Sequence, residues 1–547
     1  MRVVIIGGVA GGMSAAARLR RLDHEAEIVV LERSGHVSYA NCGLPYYVGG
    51  VIEHERQLLL QTPESLNQRF RIDVRVRSEV TAIDAAARTV TVSDRRTATT
   101  YELGYDALIL SPGASPVLPP IPGIERAHVL RTVEDVTAIA GAVDQQPHRA
   151  VVIGGGFIGL EVAENLTHRG IPVTLVEATG QVLAPLDPEL AVLVADELRR
   201  HHVDVRLEES VTAITPTVVE LASGASVSAD LVIAAIGVRP DVTLARAAGL
   251  QIGARGGVVV DDVHRTSDPH IYAIGDVAEK VDALDGEATL VPLANVANRH
   301  GRVVADHLAG RVTRPVPTIG TAIVKVFDLS AAVTGWNEKR LVAAGRPVRA
   351  LHIHPSHHAG YYPGAARLSL KLLMDPSDGT ILGAQAVGTE GVDKRIDVIA
   401  TAMRAGLRAP ELADLELAYA PPFGSAKDPV NLLGYVAENM LSGLVDVVQW
   451  HEVDDHRDQG YLLVDVRTAG EFARGSVPGA INVPVDDLRE RLGELDRRDV
   501  VVICQVGQRG HVATRLLRQR DFNAKNLSGG YQTWYTSPAA RDAALVG

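Results

Sequence analysis

The sequence predicts an α/β protein of several domains, and three observations carry that reading. Two separated stretches repeat one pattern of apolar strand, glycine turn, helix and second strand. RVVIIGGVAGGMSAAARLRRL with EIVVLER is the first, and AVVIGGGFIGLEVAENLTHRG with PVTLVEA is the second. A third stretch, from YLLVDVRTAGEF onward, alternates strands and helices and reads as a small α/β domain of its own. The length of 547 residues is too great for one core at roughly 150 residues per domain.

Composition narrows the class. Hydrophobic residues are 46% and charged residues 22% of the chain, the balance of a globular protein able to bury sizeable cores. The net charge is -12 and no Lys/Arg cluster is interleaved with aromatics, so nucleic acid is not an expected partner. No run reaches the roughly 18 apolar residues of a membrane span, so no membrane association is expected. The apolar start MRVVIIGG runs directly into a glycine turn and reads as a first strand rather than a leader. Only two cysteines occur, Cys42 and Cys504, in unlike contexts. They read as thiols used singly in a reducing compartment, the cytoplasm, and no metal site is expected.

The glycine turns point to nucleotides. Such a turn lets a pyrophosphate approach backbone amides at a helix N-terminus, and an acid about 20 residues on binds ribose hydroxyls. Gly7, Gly12 and Glu32 make the first set, with Val9 where the common pattern has its middle glycine. Gly154, Gly156, Gly159 and Glu177 make a complete second set, and EATG places no basic residue after the acid. A 2′-phosphate would meet an unpaired carboxylate there, so NADH is expected rather than NADPH. YDALILSPGASP follows the first unit and DLVIAAIGVRP the second. Later, AIGDV supplies Gly275 and Asp276.

Two fingerprints followed by this Gly-Asp pair resemble the pyridine nucleotide-disulfide oxidoreductase family. The resemblance implies that the first unit holds FAD, the second holds the nicotinamide cofactor, and Gly275 and Asp276 contact the flavin's ribityl chain. It also implies a domain layout: 1–115 with 246–320 for FAD, 116–245 for NADH, and an α+β dimerisation domain over 321–440, where strands and helices mix. The expected assembly is a homodimer. Its two Rossmann-like domains are joined by this dimerisation domain and the terminal α/β domain.

Cys42 lies in SYANCGLPYYVGG, among polar and aromatic residues. A buried structural thiol is the ordinary reading of a free cysteine; a thiol at the start of a helix is instead more acidic and more reactive. Many members of the family pair two cysteines with four residues between them, but Tyr47 stands at that second position. Cys42 therefore cycles either through a mixed disulfide with substrate or through a sulfenic acid. The second course belongs to NADH peroxidases and oxidases, which typically carry a histidine where this chain has Ala10. The first belongs to the coenzyme A-disulfide reductases, which the chain resembles over about residues 1–440. A redox-sensing or sulfur-relay protein is a third possibility.

Seven of the 13 tyrosines fall at 39, 46, 47, 361, 362, 419 and 435, in the cysteine segment, in HHAGYYPGAA and in AYAPPFGSAKDPVNLLGY. The resemblance implies that Tyr361 and Tyr419 reach Cys42 from the partner subunit, where their hydroxyls stabilise or protonate a leaving CoA thiolate; the bland reading is packing at a dimer interface. Arg18 and Arg21 share a helix face. By resemblance that face meets the phosphates of coenzyme A, with Ser38 and Asn41 near its thiol, and the alternative is a solvated basic face. Phe423 stands where relatives often have tyrosine.

YLLVDVRTAGEFARGSVPGAINVP and VVVICQVGQRGHVATRLL resemble a rhodanese domain, expected over 453–547. Cys504 opens a strand-to-helix loop whose amides, with Arg509, can hold a persulfide anion. Ser476 and Gly510 depart from the histidine and the serine or threonine common in relatives. The expected small-molecule partner is a thiol or disulfide: coenzyme A disulfide, a CoA or glutathione persulfide, or polysulfide.

Overall fold

Runs such as VVII and IVVL carry no alternation, which suits strands covered on both faces of a parallel sheet, and both are almost wholly buried in the computed structural model of the chain. Residues 1–496 and 498–540 are described; residue 497 and residues 541–547, the last of the expected 453–547 domain, lie outside them. The chain forms two units, Met1–Gly180 with His202–Gly320, and Gln181–His201 with the chain from Thr321.

In the first unit, Arg2–Ile6 is central in a five-stranded parallel sheet, in the order Ile271–Ala273, Ala107–Leu110, Arg2–Ile6, Glu27–Leu31, Asp73–Arg75. The second glycine motif repeats this layout. Ala150–Ile153 lies between Val173–Val176 and Leu231–Ala234, with Asp204–Arg206 outside. YDALILSPG and DLVIAAIG thus hold equivalent places, each returning beside its own glycine-motif strand. Helix Ala10–Leu22 crosses helix Ala294–Leu308 closely: a Cβ on Gly301 would stand 2.4 Å from the Gly11 carbonyl oxygen, so only glycine permits the crossing.

The second unit contains an antiparallel five-stranded sheet in the order Ala322–Val326, Leu329–Gly335, Ile381–Gly388, Leu368–Met374, Arg349–Ile353. Helices Val392–Ala405 and Pro429–Leu441 cover it through Ile396, Ile399, Val430 and Leu433, packed on Leu370, Leu372 and Ala384. Helix Pro188–Arg200, which lies in sequence between strands of the second nucleotide sheet, packs against this sheet instead. Its entry is anchored by polar groups: Asp187 N donates to Gln385 Oε1 at 2.7 Å, and Lys371 Nζ reaches Asp187 Oδ2 at 2.9 Å and Glu189 Oε1 at 2.6 Å.

The terminal domain is a parallel sheet in the order Asp446–Val448, Asn523–Leu527, Asp499–Ile503, Leu462–Asp465, Ile481–Asn482. It docks on the edge strand Arg349–Ile353 by buried polar contacts. Gln449 Nε2 donates to Ala350 O at 2.9 Å, His352 Nδ1 lies 3.1 Å from Ser528 Oγ, and His354 Nε2 lies 2.8 Å from Thr533 Oγ1.

Burial pushes the His354 imidazole down to about 3 from its ordinary 6.5. Between those values the unfolded chain binds a proton that the folded chain refuses. The stability is therefore complete above pH 6.5 and is lost as pH falls, by at most about 1.4 kcal/mol per pH unit. His264 and His300, pushed down to about 4 and about 2 by burial, add to the same slope. His354→Gln is expected to flatten, without abolishing, the fall of Tm between about pH 7 and pH 5. An unchanged slope would remove His354 as a source of the acid sensitivity.

Candidate active site

Each glycine turn is closed in the same way. Gly7 (φ +101°) and Gly154 (φ +105°) lie in the left-handed half of conformational space, and a Cβ on Gly12 or Gly159 would stand 2.0 or 1.9 Å from the carbonyl oxygen of Gly7 or Gly154. The acids are aimed by backbone amides. Glu32 accepts from Gly8 N and Ser34 N, both at 2.8 Å, and Glu177 accepts from Gly155 N at 2.7 Å and Thr179 N at 2.9 Å. The space a Cβ on Gly156 would enter is open, as close approach of a pyrophosphate requires. The residues present therefore fit two dinucleotides. Beside Gly275 (φ +72°), the buried Lys280 ammonium donates to the carbonyls of Gly275 and Ala278 at 2.8 and 3.0 Å. No carboxylate among the described residues lies within ion-pair distance of it, so a buried positive charge stands next to Asp276. Sequence reasoning did not single out Lys280, because a lysine at the start of the two-residue strand Lys280–Val281 carries no motif.

Cys42 is exposed, in a 3₁₀ turn at Asn41–Gly43 that leads into the five-residue helix Leu44–Val48. Its Sγ lies 3.9 Å from Asn41 Oδ1. The expectation of a thiol acidified by a helix start is corrected: partial burial, then the carboxylates of Glu161 and Asp276, push the thiol up. The helix is too short to offset two nearby negative groups. The two carboxylates come from distant segments: Asp276 belongs to the Gly-Asp turn and Glu161 to helix Phe157–His168 after the second glycine motif. Tyr46 OH donates to Glu161 Oε1 at 3.3 Å, and its phenol is pushed up to about 12 by burial and by Glu161. Glu161 is itself pushed up to about 7, mainly by burial, so near neutral pH it can both hold and release a proton. Nothing in GGGFIGLE singles out this glutamate among helix residues before the fold brings it to Tyr46 in the cysteine segment.

The remaining predicted site residues fall into distinct settings. Ser38 has φ +50°, donates its amide to Gly8 O at 2.7 Å, and so ties the cysteine segment to the first glycine turn. Arg18 Nε and Nη2 both donate to Asp306 Oδ1, at 2.9 and 2.6 Å, while Arg21 is exposed on the same helix. Arg302 and Arg311 also approach Asp306, at 3.8 and 3.5 Å, so three arginines share one carboxylate and the surface stays basic. In the second unit, the hydroxyls of Tyr361 and Tyr419 meet at 3.2 Å although they lie 58 residues apart, and Tyr361 is 77% exposed. Tyr362, Phe423 and Tyr435 are exposed as well.

Cys504 is buried, and its Sγ accepts from Gly507 N at 3.1 Å. Gly507 (φ +89°) turns the chain into helix Gln508–Arg518. Arg509 was expected beside the sulfur; its guanidinium is held by Glu471 through two bonds of 2.7 and 2.6 Å. Ser476 Oγ donates to Asp465 Oδ2 at 2.6 Å, inside a pair in which the buried Arg467 grips the same carboxylate.

Two nucleotide folds, a lone exposed thiol whose segment packs on the second glycine-motif helix, and a second thiol that accepts an amide bond in a strand-to-helix loop define a thiol-dependent oxidoreductase architecture. Residues 1–301 match the pyridine nucleotide-disulphide oxidoreductase pattern, 321–429 its dimerisation domain and 449–537 the rhodanese-like domain. The chain belongs to the pyridine nucleotide-disulphide oxidoreductase family and carries a rhodanese-like domain after it. It is 37% identical over 443 residues to coenzyme A disulfide reductase of Staphylococcus haemolyticus, covering 80% of this chain and all of that one. Among solved structures, reduced CoADR-RHD of Bacillus anthracis matches with TM-score 0.96 and 48% identity over 98% of both chains. An NAD-dependent persulfide reductase from A. fulgidus matches with TM-score 0.91 and 38% identity, over 98% of this chain and all of that one. Among the described residues, no helix is long and apolar enough to cross a membrane.

If the Glu161 carboxylate raises the Cys42 thiol, Glu161→Gln is expected to move the midpoint of Cys42 alkylation by iodoacetamide to lower pH, while the midpoint of an unfolded control stays in place. A midpoint that stays or rises would show that Glu161 does not act on the thiol.

Proposed function

We propose that this protein is an FAD-dependent reductase that uses NADH to reduce coenzyme A disulfide or a CoA persulfide through Cys42, and works as a homodimer. The observation that carries the reading is the packing of the short helix after Cys42 against the helix of the second glycine motif, fixed by the Tyr46 to Glu161 hydrogen bond, which sets the lone thiol between the two nucleotide-binding segments. Bound FAD would supply the two-electron link between NADH and the sulfur centre. Gly7, Gly12 and Glu32 would hold its pyrophosphate and ribose, with Gly275 and Asp276 at the ribityl chain; Gly154, Gly156, Gly159 and Glu177 would hold NADH.

The remaining chemistry belongs to the side chains. The Cys42 thiolate attacks one sulfur of CoA disulfide, the S–S bond breaks, and a Cys42–CoA mixed disulfide forms as the other CoA leaves as thiolate. Glu161 is suited to take the proton that Cys42 gives up, since burial holds its carboxyl at about 7. Tyr361 and Tyr419 of the partner subunit would protonate the leaving thiolate, and their paired hydroxyls and exposure support a role at a surface that another subunit covers. Arg18 and Arg21 would meet the CoA phosphates, with Ser38 and Asn41 near its thiol. The route through a sulfenic acid has less support, because Ala10 occupies the histidine position and the fused domain carries Cys504.

Cys42→Ser is expected to lower NADH-dependent reduction of CoA disulfide by at least about a thousand-fold, because a hydroxyl is a far weaker nucleophile at neutral pH. The absorbance spectrum of bound flavin should persist in that variant. Retained turnover would remove Cys42 from the mechanism. If the tyrosines act across the dimer, heterodimers of a Cys42→Ser subunit with a Tyr361→Phe, Tyr419→Phe subunit should recover about half of the wild-type activity, one intact site in two. Verified heterodimers without recovery would place thiol and tyrosines in the same chain's site.

A further inference from the structure

We propose that the cleft in front of Cys504 binds an extended, anionic organic persulfide, and that its two anion-binding cations come from two different domains, Arg474 from the terminal domain and Arg367 from the antiparallel sheet domain. The inference rests on the reading of Cys504 as a sulfur-carrying thiol and names the donor class of that site.

The cleft has a volume of about 410 Å³ and is lined by Arg367, Arg467, Glu471, Arg474, Gln505 and Tyr531, among others. A volume of this order suits an organic ligand rather than a small inorganic anion alone. Two of its charged groups are already neutralised. Arg467 is bound to the buried Asp465 at 2.7 Å, and Glu471 to Arg509 at 2.6 Å. Arg367 and Arg474 are exposed, and no carboxylate among the described residues pairs with either. The cleft therefore carries two uncompensated positive charges, the complement of a phosphate or carboxylate group.

The cleft borders the sulfur loop. Gln505 follows Cys504, and Tyr531 N donates to Cys504 O at 2.7 Å. The thiol itself is buried, so only the narrow, sulfur-bearing end of a donor can reach it while a charged tail stays at the rim. Arg367 is fixed relative to this entrance. It stands just before strand Leu368–Met374, bridged to Ser356, and Leu368 N donates to Pro355 O at 2.8 Å. The same domain is joined to the terminal one by His354 to Thr533, on the short helix that also carries Tyr531. A terminal domain cut free would lose one of the two cations.

In the transfer, the Cys504 thiolate attacks the outer sulfur of R–S–SH. The donor's S–S bond breaks, a Cys504–S–S bond forms, and R–S⁻ leaves while the proton stays with the transferred sulfur. Sulfur changes carrier and no external oxidant or reductant is consumed. Once the persulfide gives that proton to solvent, amide N–H groups of the loop, Gly507 N among them, are placed to receive the persulfide anion.

The test uses the full chain without NADH, mixed with CoA persulfide, glutathione persulfide or a neutral alkyl persulfide, and follows Cys504 persulfide by mass spectrometry of the alkylated peptide. Arg367→Gln and Arg474→Gln should each lower kcat/KM for charged donors by about tenfold or more, the loss expected for a charge-assisted hydrogen bond, mainly through KM. The neutral donor should change by less than about twofold, and Arg367→Lys should recover part of the loss. A loss confined to CoA persulfide assigns the rim to phosphate, and one confined to glutathione persulfide assigns it to carboxylate. Should a variant fold poorly, the wild-type protein decides: added salt should slow loading from charged donors and leave the neutral donor unaffected. Equal loss on all three donors, no loss on any, or no salt dependence would overturn the proposal. Reduction of CoA disulfide by the wild-type chain with NADH is measured separately; its absence would sink the reductase reading and leave the loading result standing.

Discussion

The Lys371 ammonium is buried in the antiparallel sheet and meets Asp187, Glu189 and Glu338 at 2.9, 2.6 and 2.6 Å. Burial opposes its charge, yet the three carboxylates hold it protonated well above the usual lysine range. Burial likewise works against ionisation of Glu189, and Lys371 with His352 holds that carboxyl below its usual range. Taking out a single partner of such a cluster leaves an uncompensated buried charge and costs about 3–5 kcal/mol. The cluster ties helix Pro188–Arg200 to the sheet, and from Glu189 the chain of contacts runs through His352, at 2.9 Å, to Ser528 of the terminal domain. The position of the Cys504 loop relative to Arg367 depends on this polar frame.

The first unit is organised by a different constraint, the closure of each glycine turn against the acid at the end of the next strand. Both acids accept amide bonds from their own turn, so ribose recognition and phosphate approach are set by one local geometry used twice. Around Cys42 the electrostatics run opposite to those of a pre-activated thiol. A thiol disfavoured as thiolate is slow to oxidise on its own, and its ionisation is linked to the protonation of Glu161. The buried Lys280 ammonium, four residues after Asp276, gives this region a positive component; burial pushes it down to about 8 and Asp276 acts against that shift.

The family profile, the relatives and the solved structures agree with what the glycine spacings, the lone Cys42 and the terminal sulfur loop imply, because these features are local. A glycine turn, an acid one strand later and a Cys-x-x-Gly-x-Arg loop are written within 30 residues each, and backbone geometry demands them wherever they occur. Their order along the chain then implied the two-nucleotide fold and the fused domain. The fold class and the candidate cofactor residues were legible for that reason.

What only the tertiary structure decided are the pairings between segments far apart in sequence. No periodicity sends helix Pro188–Arg200 to the antiparallel sheet; the burial of Asp187 and Glu189 on Lys371 does so. The thiol of Cys42 appeared acidic from its place before a helix, and became the reverse once folding partly buried it within the field of Glu161 and Asp276. Arg18 and Arg509 read as free cations in sequence, whereas Asp306 and Glu471, 288 and 38 residues away, take up their guanidinium groups. Charge in a sequence is a list of signs, and its effect depends on distance and burial, which the chain acquires only when it is folded.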